Sequence, residues 1–395
     1  MRFPPVAILF AESLAAIEVS WSLIDAGFPV IAVTRRGHLA AITRSRLVRS
    51  VEITPPDDGV ERSVEELRQL ASETGSVAMP LEDAAVNLCA RAFRGPSTSV
   101  AGPMGSQAIL ALDKRLQLQA ACRAGLPAPA TWHLDAADQA LELSSFPIVL
   151  KSRHPVVEHR GRLGGGHTHV CVDRQQLEQA VRTWPAHHPL VAQRFVRGTG
   201  EGLFGLVAGG HVHAWSAHRR VRMMNPRGSG SSACIAAPVD QDIAVPLERM
   251  LQETGWEGIF MAEFLRDEAD RAWFMELNGR AWGSMALARR MGYEYPAWQV
   301  AHTLDRHFRP SPPTPGTPLM CRHLGRELVH LAKVMRAPRS QTLGTWPSRG
   351  RTLRDMLHVS TDQRLYNCRK GELPVFLWDS IYTVYDQLLR RGRRG

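Results

Sequence analysis

The sequence predicts an α/β protein that opens on a doubly wound parallel-sheet domain, continues through a mixed region of strands and helices, and ends in a C-terminal extension. Three observations support this: a strand, helix, strand opening; two later β-like runs around a charged turn; and a proline-rich stretch near residue 310. With 395 residues and 44% hydrophobic content, the chain can bury more than one core.

In chain order, "VAILF" (6–10) is an apolar strand. A helix with apolar spacing follows, stopped at Gly27, and then a second strand, "PVIAVT". Strand, helix and strand in this order favour a parallel, doubly wound sheet. The opening lacks GxGxxG, so a nicotinamide-type phosphate turn is not indicated. "SVAMPL" (76–81) is the next strand, and the alternation ends near "GPSTSVAGP". A helix is expected from Gln107 to Cys122, stopped by Gly125 and Pro127. The stretch "FRPSPPTPGTPL" (308–319) carries too much proline for a helix or inner strand and reads as a linker. Beyond it, "LGRELVHLAKVM" and "WDSIYTVYDQLL" are helical patches.

The six cysteines are scattered, with no CxxC pair, and fit a reducing cytosol better than a disulfide scaffold. No segment has the uninterrupted apolar length of a membrane span, so a cytoplasmic protein with no membrane partner is expected. The net charge of +10 is arginine spread along the chain, densest in the terminal "RRGRRG". It suits an acidic small molecule such as a nucleotide, and no nucleic-acid partner is expected. Of the sixteen histidines, "HTH" (167–169) and "HVH" (211–213) each pair two imidazoles on a strand face, but neither has an evident third zinc ligand.

"GIFMAEFL" (258–265) and "AWFMELN" (272–278), separated by "RDEADR", read as a hairpin. Side chains alternate along a strand, so Glu276 and Asn278 share a face, and Glu263 joins them if the register allows. Such oxygen donors suit Mg²⁺; a solvated sheet face is the alternative that spacing leaves open. Arg280 follows, either as a counter-charge or beside an anion. Upstream, Lys151 ends the strand in "FPIVLKS" and precedes a loop with Gly164, Gly165 and Gly166. Backbone N–H groups there could meet a phosphate, or the loop is simply a flexible turn.

Taken in order, these pieces resemble the ATP-grasp superfamily of carboxylate–amine ligases over residues 1–305. The motifs are "LDKRLQLQAACRAGLPAPAT", "FPIVLKS" with its glycines, "PLVAQRFVRGTGEG", and "GIFMAEFL" followed by "FMELNGRAWGS". The resemblance implies an N-terminal pre-ATP-grasp domain (1–105), a small lobe or lid (106–190), a large lobe (191–307), a linker (308–319) and an extension (320–395). It implies ATP and Mg²⁺ as cofactors, with Mn²⁺ as a substitute. Lys114 and Lys151 would meet the phosphates, and Gln193, Arg194, Phe195 and Val196 would form a hinge whose backbone reads adenine. Glu201 would reach the ribose; Glu263, Glu276 and Asn278 would hold the metal. Arg280 would steady the acyl phosphate or substrate carboxylate, and Arg220, or Arg219 beside it, would reach the γ-phosphate. In the loop "NPRGSGSSAC", Ser229, Gly230, Ser231 and Ser232 either touch substrate or form a surface connection. The sequence has "NGR" where "NPR" is commoner, and a long His-rich lid stretch.

The implied reaction activates a carboxylate as an acyl phosphate and joins it to an amine, giving an amide. The partners would be a small carboxylate and an amine, with a homodimer also allowed. The alternatives are an enzyme that only phosphorylates a small acid, of the carbamoyl-phosphate type, and a nucleotide-binding scaffold without turnover.

Overall fold

The computed structural model describes residues 3–93, 99–186, 188–228, 230–314, 316–336 and 346–390. The arginine run at 391–395 and Ser229 lie outside the described residues. Strands β1 (Val6–Leu9), β2 (Val30–Arg35), β3 (Val48–Ile53) and β4 (Val77–Pro80) form a parallel sheet in the order β3-β2-β1-β4. The helices are α1 (Ala16–Asp25), α2 (Val60–Thr74) and α3 (Asp83–Ala92). Val6 and Ile8 join a core with Ile17 and Trp21 of α1, whereas Ala7 and Leu9 join another with Val64 and Leu67 of α2 and Leu88 of α3. Burial on both faces explains why β1 is an unbroken apolar run, and the doubly wound opening is as the sequence predicted. The half-exposed strand β3, "VRSVEI", gave no such signal.

The single helix expected from Gln107 to Cys122 is two helices, α4 (Ser106–Ala111) and α5 (Lys114–Arg123). Asp113 breaks it: its carboxylate accepts the N–H groups of Arg115 and Leu116 and so caps α5. Lys114 is thereby placed at the first position of α5.

Strands β5 (Thr131–Leu134) and β6 (Ile148–Ser152) are followed by a hairpin of β7 (Val156–His159) and β8 (Arg162–Gly165). Then come β9 (Thr168–Cys171), helix α6 (Arg174–Thr183) and β10 (Leu190–Arg194). The small antiparallel sheet has the order β5-β10-β6-β9 and packs Ile148, Leu150, Leu190 and Ala192 against Leu177 and Ala180 of α6. A lobe boundary at residue 190 would cut through this sheet, because β10 is one of its inner strands.

The large sheet contains β11 (Thr199–Ala208), β12 (His211–Met223), β13 (Ser231–Ala237), β14 (Gly258–Arg266) and β15 (Ala272–Asn278), with helices α7 (Gln241–Glu253), α8 (Met285–Arg290) and α9 (Tyr295–Leu304) around it. One face packs Leu203, Ala262 and Phe264 on α5 and α7. The other packs Phe204 and Leu206 on Trp282, Tyr295 and the core of the parallel-sheet domain. The site lies at the end of this second face.

The C-terminal residues are not a separate segment beyond a linker. Strand β16 (Met320–Arg322) pairs with β13, and β17 (Gln363–Leu365) pairs with β16, which completes a seven-stranded sheet of order β15-β14-β11-β12-β13-β16-β17. Helices α10 (Leu324–Arg336), α11 (Arg349–Leu357) and α12 (Leu373–Val384) follow. α10 meets α12 closely at Gly325, where a Cβ would lie 2.8 Å from the Ser380 carbonyl. α12 in turn reaches the first domain, with the Arg44 guanidinium over Trp378 and bonded to the Tyr382 hydroxyl at 3.1 Å. Among the described residues, no helix is long and apolar enough to cross a membrane.

Candidate active site

The β14–β15 register pairs Glu263 with Glu276 and Met261 with Asn278, so the two carboxylates and the amide share one face. Asn278 Nδ2 donates to Glu276 Oε1 at 3.0 Å, leaving its carbonyl oxygen for another partner. Lys114 Nζ lies 3.8 Å from Glu276 Oε2, and Arg220 Nη2 lies 2.7 Å from Glu263 Oε2. The carboxylate side chains are 19% and 35% exposed, so this is not the solvated face that spacing left open. Burial pushes the Glu263 carboxyl above its usual range against the pull of Arg220, with the Glu276 charge adding to the push. Burial also opposes ionisation of Glu276, but Lys114, the Asn278 hydrogen bond and Lys151 bring it below the usual value. Burial likewise draws the Lys151 ammonium down, and Glu276 restores part of that. Among the described residues, no three His, Cys, Asp or Glu side chains converge as a complete metal cage. Two carboxylates and an amide oxygen that could serve as donors would suit a hard cation that keeps other oxygen ligands.

A residue that sequence reasoning missed holds this strand. Gln117 on α5 is buried; its Nε2 donates to the carbonyls of Leu110, Ala111 and Leu277, and its Oε1 accepts the Leu277 N–H at 3.0 Å. Leu277 is the residue between Glu276 and Asn278, so Gln117 fixes the strand at the donor set.

Arg220 reaches Glu263 across β11, where Gly200 has no side chain. A Cβ on Gly200 would lie 2.6 Å from Arg220 Cδ, and one on Gly202 would lie 3.0 Å from His218 Nε2. The glycines of "GTGEG" thus clear space for the side chains of β12. Glu201, between them, points to the other face. It is held there by Arg219 at 3.0 Å and Arg266 at 2.8 Å, which corrects its expected place beside a ribose. Arg219 leaves the site with it, and Arg220 is the arginine on the carboxylate face.

His218, under Gly202, is buried with Nδ1 2.6 Å from Ser284 Oγ. Burial, with the nearby Arg220 charge, pulls its pKa from 6.5 to about 3. The unfolded chain takes a proton on this imidazole below 6.5, and the folded chain refuses it until about 3, so this contribution to stability is lost as pH falls through that window. Urea midpoints measured from pH 8 to pH 4 are therefore expected to fall less steeply for His218→Gln than for the unsubstituted chain.

On the small antiparallel sheet, Lys151 Nζ donates to Gln193 Oε1 at 3.1 Å, and Gln193 Nε2 donates to Thr131 Oγ1 at 3.1 Å. Of the residues expected to form a hinge, not all have a backbone N–H left to offer. The Arg194 and Phe195 N–H groups are already bonded to the carbonyls of Ala130 and Pro147, whereas Val196 N–H has no backbone acceptor among the described residues. Arg153 fastens the end of β6 to the Asp113 cap, with Nε–Oδ2 at 2.9 Å.

The glycine-rich stretch is not an open loop. It forms β8, closed to β7 by a two-residue turn in which Arg160 (φ 50°) and Gly161 (φ 74°) both take left-handed conformations. This hairpin docks on the first domain: Leu163 N–H bonds to Pro56 O, Val60 N–H bonds to Gly161 O, and Leu163 enters that domain's core. Gly166 permits a close approach to the end of β6 and the residues after it, since a Cβ there would lie 3.0 Å from Ser152 Cβ and 2.8 Å from the His154 carbonyl. Gly164 and Gly165 line a cleft of 570 Å³ together with Arg280. Arg280 is held by Asp83 of α3, with Nε–Oδ1 at 2.6 Å and Nη2–Oδ2 at 3.2 Å. No short motif marks Asp83; the contact spans the fold. His167 and His169, from the "HTH" pair, both lie against Trp184.

No family model matches the sequence, and no curated protein matches it either. Solved structures do share the fold. The L-amino acid ligase of Bacillus licheniformis superposes with a TM-score of 0.58 at 18% identity, over 77% of this chain and 75% of that one. The biotin carboxylase domain of the Hydrogenobacter thermophilus 2-oxoglutarate carboxylase, solved with MgADP, ADP and bicarbonate, gives 0.61 at 17%, over 81% and 74%. The ADP complex of N5-carboxyaminoimidazole ribonucleotide synthetase gives 0.59 at 11%, over 80% and 81%. The architecture is the ATP-grasp fold that the sequence resemblance implied.

Proposed function

On this ATP-grasp fold, we propose that the chain is an ATP- and Mg²⁺-dependent ligase that phosphorylates a carboxylate and transfers the acyl group to an amine. The observation that carries the reading is the Glu263–Glu276 pair, with Asn278 beside it and the cationic side chains of Lys114, Lys151 and Arg220 around it. Two partly buried carboxylates facing each other repel, and a divalent cation would relieve that repulsion. Glu263, Glu276 and the Asn278 carbonyl would hold Mg²⁺, which supplies charge neutralisation for the phosphates when bound. Lys114, at the start of α5, and Lys151, on β6, both act on the Glu276 carboxylate and would bind the phosphates of the substrate nucleotide. Val196 would offer its N–H to the adenine edge.

In the reaction, a carboxylate oxygen attacks the γ-phosphorus of ATP and ADP leaves. The amine then attacks the acyl carbon and phosphate departs. The chain supplies no nucleophile. Its residues position the two reactants and stabilise charge on the transferred group, with Arg220 and Arg280 as the nearest guanidinium donors. The β7–β8 hairpin, docked on the first domain beside Arg280, would keep water from the acyl phosphate.

The test is an ADP-release screen of carboxylates, alone and with amines, followed by mass spectrometry. The expected result is ADP formation that requires Mg²⁺ and a carboxylate, with a condensation product when an amine is added. Release of acyl phosphate without condensation would replace the reading with a phosphorylating enzyme. Nucleotide binding without ADP formation would replace it with a scaffold.

A further inference from the structure

Two clefts meet behind Arg280. The 570 Å³ cleft that contains Arg280 and a second of 490 Å³ share Ser13, Leu14, Arg35, Glu82 and Arg326 as walls. Most of the charges there are already matched. Arg280 is paired with Asp83, Arg35 with Glu12 and Glu82, and Asp379 with His323 and Asn367.

Arg326 is the exception. Among the described residues its guanidinium meets no carboxylate, and its one hydrogen bond is from Nη1 to the Ser231 carbonyl at 3.0 Å. Its surroundings draw it below the ordinary arginine value, burial first. Gly230 lies against it, where a Cβ would be 2.7 Å from Nη1. A half-buried guanidinium with most of its donors uncommitted has strong reason to take an anion. Beside it, Ser13 Oγ and Glu12 Oε2 are buried without a hydrogen-bond partner. Glu82, adjacent in sequence to the Asp83 that holds Arg280, gives the same cavity a carboxylate, and burial raises its pKa.

Resting on the ligase reading above, we propose that the amine acceptor is an amino acid, with its carboxylate held by Arg326 and Ser13 and its amino group beside Glu82. This orientation turns the amine toward Arg280, where the activated acyl group would lie. It also gives the C-terminal extension, which lies outside the 1–305 resemblance, a role in specificity: α10 brings an anion anchor to the site.

The experiment measures binding to the chain loaded with Mg·ADP, by saturation-transfer NMR and calorimetry. The probes are the proteinogenic amino acids and their C-terminal amides, tested with the unsubstituted chain, Arg326→Gln and Arg326→Lys. At least one free amino acid is expected to bind the unsubstituted chain, with its amide roughly 10- to 100-fold weaker, the weight of a charge-assisted hydrogen bond. Arg326→Gln removes that preference and Arg326→Lys keeps part of it, while Mg·ADP affinity is unchanged in both. The proposal is overturned if no amino acid binds the Mg·ADP-loaded chain, if amides bind equally, or if Arg326→Gln keeps the preference. Should Arg326→Gln not fold, the amide comparison and Arg326→Lys still decide. Failure of Mg·ADP itself to bind would mark the ligase reading, rather than the acceptor assignment, as the point of failure, and the acceptor assignment would fall with it.

Discussion

Glu276→Gln is expected to lower carboxylate-dependent ADP formation by roughly 10²- to 10³-fold, with the fold intact. Glutamine keeps an oxygen to accept from Asn278 Nδ2, so the local hydrogen bond survives. What is lost is one of two facing charges, and with it the pull on Lys114 at 3.8 Å and on Lys151. In the proposed mechanism that charge binds the metal, so kcat/KM falls while the melting temperature stays close to that of the unsubstituted chain. Steady-state ADP assays with parallel thermal melts check this. Unchanged turnover would remove Glu276 from the metal site.

Gln117→Leu is expected to destabilise the chain by about 3 kcal/mol, because buried polar groups lose their partners without access to water. Leucine fills similar space but cannot accept the Leu277 N–H or donate to the carbonyls of Leu110, Ala111 and Leu277. The Leu277 peptide groups lie inside the strand that carries Glu276 and Asn278, so weaker Mg²⁺-dependent nucleotide binding should accompany the lost stability. Gln117→Glu, which keeps the acceptor but loses the amide donor, should be destabilised as well. Urea unfolding and calorimetry read the two effects separately. A Gln117→Leu chain of unchanged stability would show that these bonds contribute little.

Much of the site was legible because side-chain direction in a strand has a period of two. Glu276 and Asn278 could be placed on one face from their spacing, whereas Glu263 needed the register of β14 and β15, which only the fold supplies. The same alternation accounts for the misreading of Glu201. It is one residue away from Gly200 and Gly202, and that single step turns it to the opposite face, onto Arg219 and Arg266. The parallel-sheet opening was readable from continuous apolar runs, and the break between α4 and α5 is explained by a capping aspartate that the helix pattern masked. Strands β16 and β17 are three residues each, too short for periodicity to register. Asp83, Gln117 and Arg326 were invisible for another reason: each matters through a contact with a distant part of the chain.

The most direct test of the central claim is titration of ADP with Mn²⁺ in place of Mg²⁺, followed by calorimetry and electron paramagnetic resonance, on the unsubstituted chain and on Glu263→Gln/Glu276→Gln. The account predicts cation-dependent ADP binding with a bound Mn²⁺ signal, and loss of that signal with at least roughly tenfold weaker binding in the double variant. Equal binding by both chains, or no nucleotide binding by the unsubstituted chain with the cation present, would contradict it.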